Sequence, residues 1–233
     1  MTARTTTPIE LLYGALGADG APGGTTGLPP SVADLATHVR STKRGLGAQL
    51  LAMGLWNLRD AGALGIELRK GKSLGFIPKT ELIISPGNGS TAWSGVEAEL
   101  LGKLREKGAR DVSSLVSSWY GSRGAGNPDG VALGRIRDAA VAAGLVRTAT
   151  VEANRGFLGR AVRGATKQAY VADAAAIAAA APDLDTIATG WMAFTRSEPE
   201  LARELVERVD KAIERKGTEQ NDGDIGGGGG DFD

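Results

Sequence analysis

One pattern occurs twice in this chain: an amphipathic helix, an Ala/Gly elbow, a short β-rich segment and a basic loop that contains Gly-Phe. The first copy runs from a predicted helix at Gly45–Gly62 to Phe76, and the second runs from Val131–Gly144 to Phe157. An offset of 81 residues aligns Phe76 with Phe157. A pattern that recurs at this distance indicates a duplicated supersecondary unit, which limits the folds that the chain can adopt.

Three helices followed by a two-stranded wing is the order of a winged helix-turn-helix domain. We therefore predict a mostly α-helical fold with short β-hairpins, in which two winged-helix-like units cover residues 8–85 and 96–172. The Pro-, Gly- and Ser-rich stretch Ser85–Gly95 is predicted to separate the two units. C-terminal helices at 173–216 and a disordered, acidic, Gly-rich tail at 217–233 complete the prediction.

Local signals predict where several helices begin and which helix faces a ligand. Asp111 and Asp129 are predicted to cap the second and third helices of the second unit, and Asp173 to begin an Ala-rich helix. The leucine-rich helix Gly45–Gly62 is the recognition-helix candidate of the first unit, with Trp56 packed in the core or against the elbow. The apolar C-terminal helices could pack across both units or form a homo-oligomer contact, and the sequence leaves both alternatives open.

The composition excludes several classes of site. The 233 residues include no cysteine, which excludes disulfides and thiolate metal sites and fits a reducing cytoplasm. His38 is the only histidine, so no Ser-His-Asp or Cys-His arrangement is visible and a surface histidine is the simpler interpretation. We expect a protein that is not an enzyme, without a cofactor, a metal or a small-molecule substrate.

The termini and the hydropathy predict the compartment. The N-terminal segment lacks the apolar core of a signal peptide, and no apolar run approaches the roughly 18 to 20 residues that span a bilayer. We expect a cytoplasmic protein, including a peripheral position at the inner face of the membrane.

Charge is distributed unevenly along the chain. There are 27 basic and 27 acidic residues, but the last sixteen residues hold five acids and no base, so the remainder carries about +5, from 27 minus 22. Two loops contain cations without any acid. The candidate binding residues of the first loop are Arg69, Lys70, Lys72, Phe76 and Lys79, and those of the second loop are Arg155, Phe157, Arg160, Arg163 and Lys167.

Cations around an apolar loop tip suit a polyanionic partner whose surface also accepts an apolar group. A layer of anionic phospholipid headgroups and the phosphates of duplex DNA both have this chemistry, and helix Val131–Gly144 offers Arg135 and Arg137 to DNA. In the alternative interpretation, Phe76 and Phe157 cover their own cores and the cations only increase solubility. The third class of function that remains open is a protein–protein scaffold in which the two basic loops bind no partner.

The chain resembles bacterial members of the Golgi-phosphoprotein family. The resemblance is carried by the segments VEAELLGKLREKG, ARDVSSLVSSWYG, AAGLVR and KQAYVAD, by a Gly-Phe-Leu-Gly turn, and by the opening IELLYGALGADG. Eukaryotic members of that family are peripheral membrane adaptors that recognise a phosphoinositide headgroup and the tails of enzymes. The resemblance implies a peripheral, non-catalytic adaptor, and it places no headgroup-binding residue at a position of this chain.

Overall fold

The computed structural model describes residues 8–17, 28–42, 44–73, 77–89, 91–121, 128–152 and 166–221. It describes the backbone alone at 72–73, 77–79, 128, 151–152, 166–167 and 217–221. Within these ranges the protein is mostly helical, with one antiparallel sheet of three strands and one of two. This confirms the predicted combination of helices and short hairpins. The prediction that the disordered tail begins at residue 217 is wrong at its start, because the last helix extends to Asn221; the rest of the predicted tail lies outside the described residues.

The elements follow one another in three groups. The first group is α1 (Pro8–Leu16), α2 (Pro30–Ser41), α3 (Leu46–Asp60), β1 (Leu64–Ser73) and β2 (Ile77–Pro86). The second group is α4 (Gly95–Lys107), β3 (Arg110–Asp111), α5 (Val112–Tyr120), α6 (Pro128–Ala142), β4 (Val146–Glu152) and β5 (Thr166–Ala172). The third group is α7 (Ala174–Ala179), α8 (Ala181–Ser197) and α9 (Pro199–Asn221).

The junctions of α3 with β1 and of α6 with β4 have the same backbone structure. At each junction a glycine with positive φ, Gly62 at 69° and Gly144 at 77°, follows the last residues of the helix. The N–H of Gly62 bonds to the carbonyl of Arg59, and the N–H of Ala63 bonds to the carbonyl of Leu58. Gly144 and Leu145 repeat both bonds on α6, so each helix ends in a Schellman motif. The equivalent glycines are 82 residues apart, one more than the sequence alignment predicts.

Helix α3 lies in the centre of the protein. Eleven of its residues are buried, including every apolar position from Leu50 to Leu58. Trp56 is 6% exposed and packs with Trp191 and Phe194, which confirms its predicted place in the core. The prediction that α3 is a recognition helix is wrong, because a helix buried against neighbours on most of its surface cannot enter a groove of DNA.

The larger sheet combines strands from both halves of the chain. β1 and β2 form the predicted hairpin, in continuous register from Leu64 opposite Pro86 to Ser73 opposite Ile77. The two-residue β3 then pairs with β2 at Ile83 and Ile84. Among the described residues, the smaller sheet consists of β4 and β5. The second hairpin is therefore present as predicted, but the short strand of the second half joins the first hairpin.

The buried apolar residues form one continuous core that extends from α1 to α9. Helix α9 packs against α5, α3 and α6, and α8 packs against α2, α1 and α3. The C-terminal helices thus pack across both halves of the chain, which was one of the two alternatives. The division of the chain at Ser85–Gly95 remains a prediction, since a single core crosses it.

The caps predicted at Asp111 and Asp173 are confirmed. The carboxylate of Asp111 accepts a hydrogen bond from the N–H of Ser113, and that of Asp173 accepts one from Ala176. Asp129 does not cap its own helix, since it lies in the first turn of α6 and accepts a hydrogen bond from the N–H of Ala48, at the start of α3. The local sequence rule fails here because the capped helix is distant in the chain.

Candidate functional site

The β1–β2 hairpin extends beyond the core that anchors it. Its buried residues lie near the base, where Leu64, Ile66, Leu82 and Ile84 face the helices. Five further residue pairs follow toward the tip, from Arg69 opposite Glu81 to Ser73 opposite Ile77. The described side chains on β1 in this outer part are exposed. The hairpin is therefore the described element that combines predicted binding residues with access to solvent.

Arg69 lies on the outer face of the sheet, where acids surround it. Its guanidinium is 2.9 Å from the carboxylate of Glu67, two positions earlier on the same face of β1, and Glu81 is opposite in the register. The hydrogen bond and the charge of Glu67 raise the pKa of Arg69 above its ordinary value. The Arg69 side chain is 58% exposed, so this ion pair is solvated and contributes little to stability.

Lys70 lies on the opposite face of the strand and contacts the start of α9. Its Nζ is 3.0 Å from Oε1 of Glu200, and the two side chains are 68% and 55% exposed. The alternation of side chains along a strand therefore divides the predicted basic cluster between two faces of the hairpin. Exposed ion pairs of this kind are weak and screened by salt, so an external anion can replace the carboxylate.

The rest of the first loop is described only in part. Lys72 is opposite Pro78 in the register, and Lys79 is opposite Gly71. Their side chains, and all of Phe76, lie outside the described residues. The four cations of the first loop are offset by the nearby acids Glu67, Glu81 and Glu200, which leaves one net positive charge, from four minus three. Two of these acids flank the basic loop in sequence, and the fold adds Glu200 from α9.

The second loop lies mostly outside the described residues. Arg155, Phe157, Arg160 and Arg163 lie outside the described residues, and Lys167 is described only as a backbone position opposite Val151. Within the described residues, β1 and β2 pair from Leu64 to Ser73, and β4 and β5 pair from Val146 to Glu152. The repeat is therefore described through the helix, the elbow and the first strand of each copy.

Arg135 and Arg137 of α6 make contacts inside the protein. Arg135 on α6 lies 2.6 Å from the carboxylate of Glu99, stacks 4.4 Å from the centre of the Trp119 ring, and donates to the carbonyl oxygen of Trp119. Arg137 lies over the ring of Tyr170 at 4.0 Å. Both residues were candidates for contacts with DNA. Their guanidinium groups instead connect α6 with α4, α5 and β5.

Two clefts flank α8, and sequence patterns did not predict either of them. A cleft of about 540 Å³ lies between the C-terminal half of α3 and α8, with Trp56 and Phe194 among its lining residues. A second cleft of about 330 Å³ lies between α2, α8 and α9, lined by residues that include His38 and Arg203. The only sequence signal was the aromatic spacing on α8, because the residues that line each cleft come from distant segments.

Two negative findings apply to the described part of the chain. No group of three or more His, Asp or Glu residues there could hold a metal ion. None of the helices there combines the length and the apolar character that crossing a membrane requires.

Comparisons with known protein families, with curated proteins and with solved structures found no significant match for this chain.

Proposed function

We propose that this protein is a non-catalytic binding module or adaptor that docks onto an anionic surface through its hairpins. The β1–β2 hairpin is the primary contact, with Arg69, Lys70, Lys72 and Lys79 as its cations and Phe76 at its tip. The loop of the β4–β5 hairpin, at 153–165, supplies the second contact. The observation that carries the proposal is the extension of β1 and β2 beyond the core, with cations on both faces.

The element order supports the winged-helix interpretation of the second unit. From α4 to β5 the order is helix, strand, helix, helix, strand, strand, which is the order of a winged-helix domain with its two-stranded wing at the end. The pairing differs from that of an independent domain, because β3 joins the wing of the first unit. We infer that the two winged-helix-like units are interlocked by this strand.

A membrane surface is the first choice of partner because the contact is made by hairpins and not by helices. Recognition of DNA by a winged helix uses a basic, exposed helix in the major groove. Here α3 is buried, and Arg135 and Arg137 on α6 are engaged with aromatic rings of the protein itself. A solvated layer of headgroups requires no such helix, so it is compatible with what the hairpins expose.

The energetics require more than one contact. Each cation near an anionic membrane contributes about 1 kcal/mol, so the four cations of one hairpin contribute about 4 kcal/mol before the nearby acids are counted. That free energy corresponds to a dissociation constant of about 1 mM. A second hairpin on the same surface increases the apparent affinity by avidity. Weak, salt-sensitive binding by one hairpin is therefore expected, and stronger binding depends on both.

The proposal is tested by reversing charges in both hairpins. We expect the variant with Lys70, Lys72, Arg160 and Arg163 all replaced by Glu to lose sedimentation with anionic liposomes, because the cations that contact the headgroups become acids. Its melting temperature should stay close to that of the wild type, since exposed charges contribute little to folding. The matched control replaces four exposed cations elsewhere, Arg105, Lys107, Arg196 and Lys211, by Glu and should still sediment.

The other functions predict different results. Wild-type protein that ignores anionic liposomes but retards duplex DNA in a gel would favour the DNA-binding regulator. Wild-type protein that binds neither would favour a protein–protein scaffold. Equal loss of sedimentation in the hairpin variant and in the control would show that only overall charge matters, and would contradict docking by the hairpins.

A further inference from the structure

Strand β1 forms one edge of the three-stranded sheet along its whole length. The sheet order is β1-β2-β3, so β2 occupies one side of β1. Among the residues that the structure describes, no strand pairs with the other side, and no backbone hydrogen bond from outside the hairpin reaches residues 65–71. The edge of β2 differs, because β3 covers it at Ile83 and Ile84.

This edge has only one of the usual protections against strand pairing. Proteins shorten their edge strands, interrupt them with proline, bend them with a bulge, or place charged side chains on them. β1 contains ten residues and no proline, and its register with β2 is uninterrupted from end to end. Leu64, Ile66 and Leu68 lie on one face, and Leu68 is only half-buried. The charged side chains of β1 are therefore what limits pairing with another strand. Their pattern determines which strand can pair with this edge.

The residues of β1 are complementary to a second β1 in one antiparallel register. When two copies are centred on Leu68, Glu67 of each copy lies opposite Arg69 of the other, which makes two attractive pairs. In the same register Lys70 is opposite Ile66 and Lys72 is opposite Leu64, so no two like charges face each other. The ladder extends from residue 64 to residue 72 in both copies.

Neighbouring antiparallel registers of the two β1 strands have less favourable pairing of charges or faces. A shift that centres the pair on residue 67 places Glu67 opposite itself, and the opposite shift places Arg69 opposite itself. Registers that differ by one residue put the buried faces of the two sheets on opposite sides, because side chains alternate along a strand. The charge pattern therefore selects a single two-fold symmetric arrangement.

We propose that the edge of β1 docks the same edge of a second copy of this chain, which forms a continuous sheet of three plus three strands. Backbone hydrogen bonds between the two strands supply the affinity, and the Glu67–Arg69 pairs fix the register. The interface is isologous, as expected for a two-fold dimer. The apolar faces of α8 and α9 pack inside the chain, so the edge strand replaces them as the dimerisation element. This inference does not require the anionic-surface function, although Arg69, Lys70 and Lys72 belong to both proposed contacts.

The central experiment is a charge swap read by sedimentation equilibrium of the full chain. The wild type should show a monomer–dimer equilibrium. Glu67→Arg alone, or Arg69→Glu alone, turns both attractive pairs into repulsive ones and should weaken the dimer roughly tenfold. The double variant Glu67→Arg/Arg69→Glu restores opposite charges across the interface and should recover the wild-type dimer. Glu106→Arg, an exposed charge reversal on α4, is the matched control.

A second measurement fixes the register. Since the chain has no cysteine, Leu68→Cys introduces a unique thiol that can form a disulfide only between two copies. Directly opposite residues of an antiparallel pair have Cα atoms about 4.5 to 5.5 Å apart, within the range of a disulfide. We expect rapid formation of a cross-linked dimer under mild oxidation, and much slower cross-linking of the Leu68→Cys/Glu67→Arg variant.

Three results would overturn the dimer. The wild type could stay monomeric at every concentration, the single reversals could leave the dimer unchanged, or the double variant could fail to recover it. A dimer of the Leu68→Cys variant that forms no disulfide under mild oxidation would contradict the proposed register. Each result is separate from liposome binding, so failure of the dimer leaves the docking proposal intact.

Discussion

At the scale of single residues, the start of α3 depends on a carboxylate from another helix. The N-cap residue of α3 is Gly45, which has no side chain to accept a hydrogen bond. Asp129 of α6 supplies the acceptor, with its Oδ1 3.3 Å from the N of Ala48. The approach is so close that a Cβ on Gly45 would collide with that oxygen. Asp129 therefore acts as an N-cap supplied by a different segment.

The environment of Asp129 predicts how its two obvious variants differ. Asp129→Ala leaves the first N–H groups of α3 without their acceptor and should cost about 1 kcal/mol of stability, measured by urea unfolding. Asp129→Asn keeps an oxygen at the same place and should unfold at a higher urea concentration than Asp129→Ala. If both variants unfold at the same urea concentration, the cap does not stabilise α3.

The pH dependence of these variants follows from the pKa of the same carboxyl. Burial raises the pKa of Asp129; hydrogen bonds from Ala48 and Gly47 oppose the shift, and the charge of Asp210 adds to it. For an acid whose pKa is higher in the folded state, stability falls as the pH rises from the unfolded pKa, ordinarily about 3.9, through the folded one. Asn does not ionise, so the Asp129→Asn variant does not lose this stability. Its free energy of unfolding relative to that of the wild type should therefore increase as the pH rises over this interval. A relative fall would mean that the helix N-terminus stabilises the charged form.

Sequence rules at this scale depend on whether the interaction is local. Asp111 and Asp173 cap helices that begin directly after them, and both caps could be predicted from the neighbouring residues. Asp129 has the same local signal, but its carboxylate serves a helix 81 residues earlier in the chain. The acid beside Lys70 is similar, since Glu200 reaches Lys70 only through the fold, whereas Glu67 is a local partner of Arg69.

At the scale of elements, the unit that recurs is a helix, a Schellman motif and a strand. Gly62 and Gly144 both have positive φ, and a Cβ at either position would meet no other atom within 4 Å. Replacement by alanine therefore tests the backbone conformation alone. The sequence predicted this repeat because the elbow is specified by neighbouring residues.

We predict that Gly62→Ala and Gly144→Ala each cost about 1 kcal/mol, the penalty for a left-handed conformation of a residue with a Cβ. For a protein of this size, that loss lowers the melting temperature by roughly 2 to 4 °C. Gly102→Ala is the matched control, because Gly102 lies inside α4 with open space around it. This replacement should stabilise the protein, since alanine favours a helix more than glycine does. Equal costs at Gly62 and Gly144 would support two equivalent elbows, whereas a negligible cost at either would contradict its Schellman motif.

At the scale of the whole molecule, one core supports two hairpins. Periodicity predicted the helices and the hairpins, because each is specified by residues close in sequence. It could not predict that β3 joins the first hairpin, that α3 is buried, or that α9 packs against α5, α3 and α6, because these contacts join distant segments. The predicted recognition helix failed for this reason: an amphipathic pattern indicates a buried face but not how much of the other face is covered.

The central claim is that the hairpins, and not the helices, contact an anionic surface. Amide hydrogen exchange of the protein with anionic vesicles, compared with its exchange with neutral vesicles, measures this directly. Both samples have the same protein concentration, so any protection due to dimer formation is the same in each. We predict slower exchange at 69–79 and 155–167, with α6 at 128–142 unchanged. Slower exchange confined to α6, or no change in either hairpin while the protein is bound, would contradict the account.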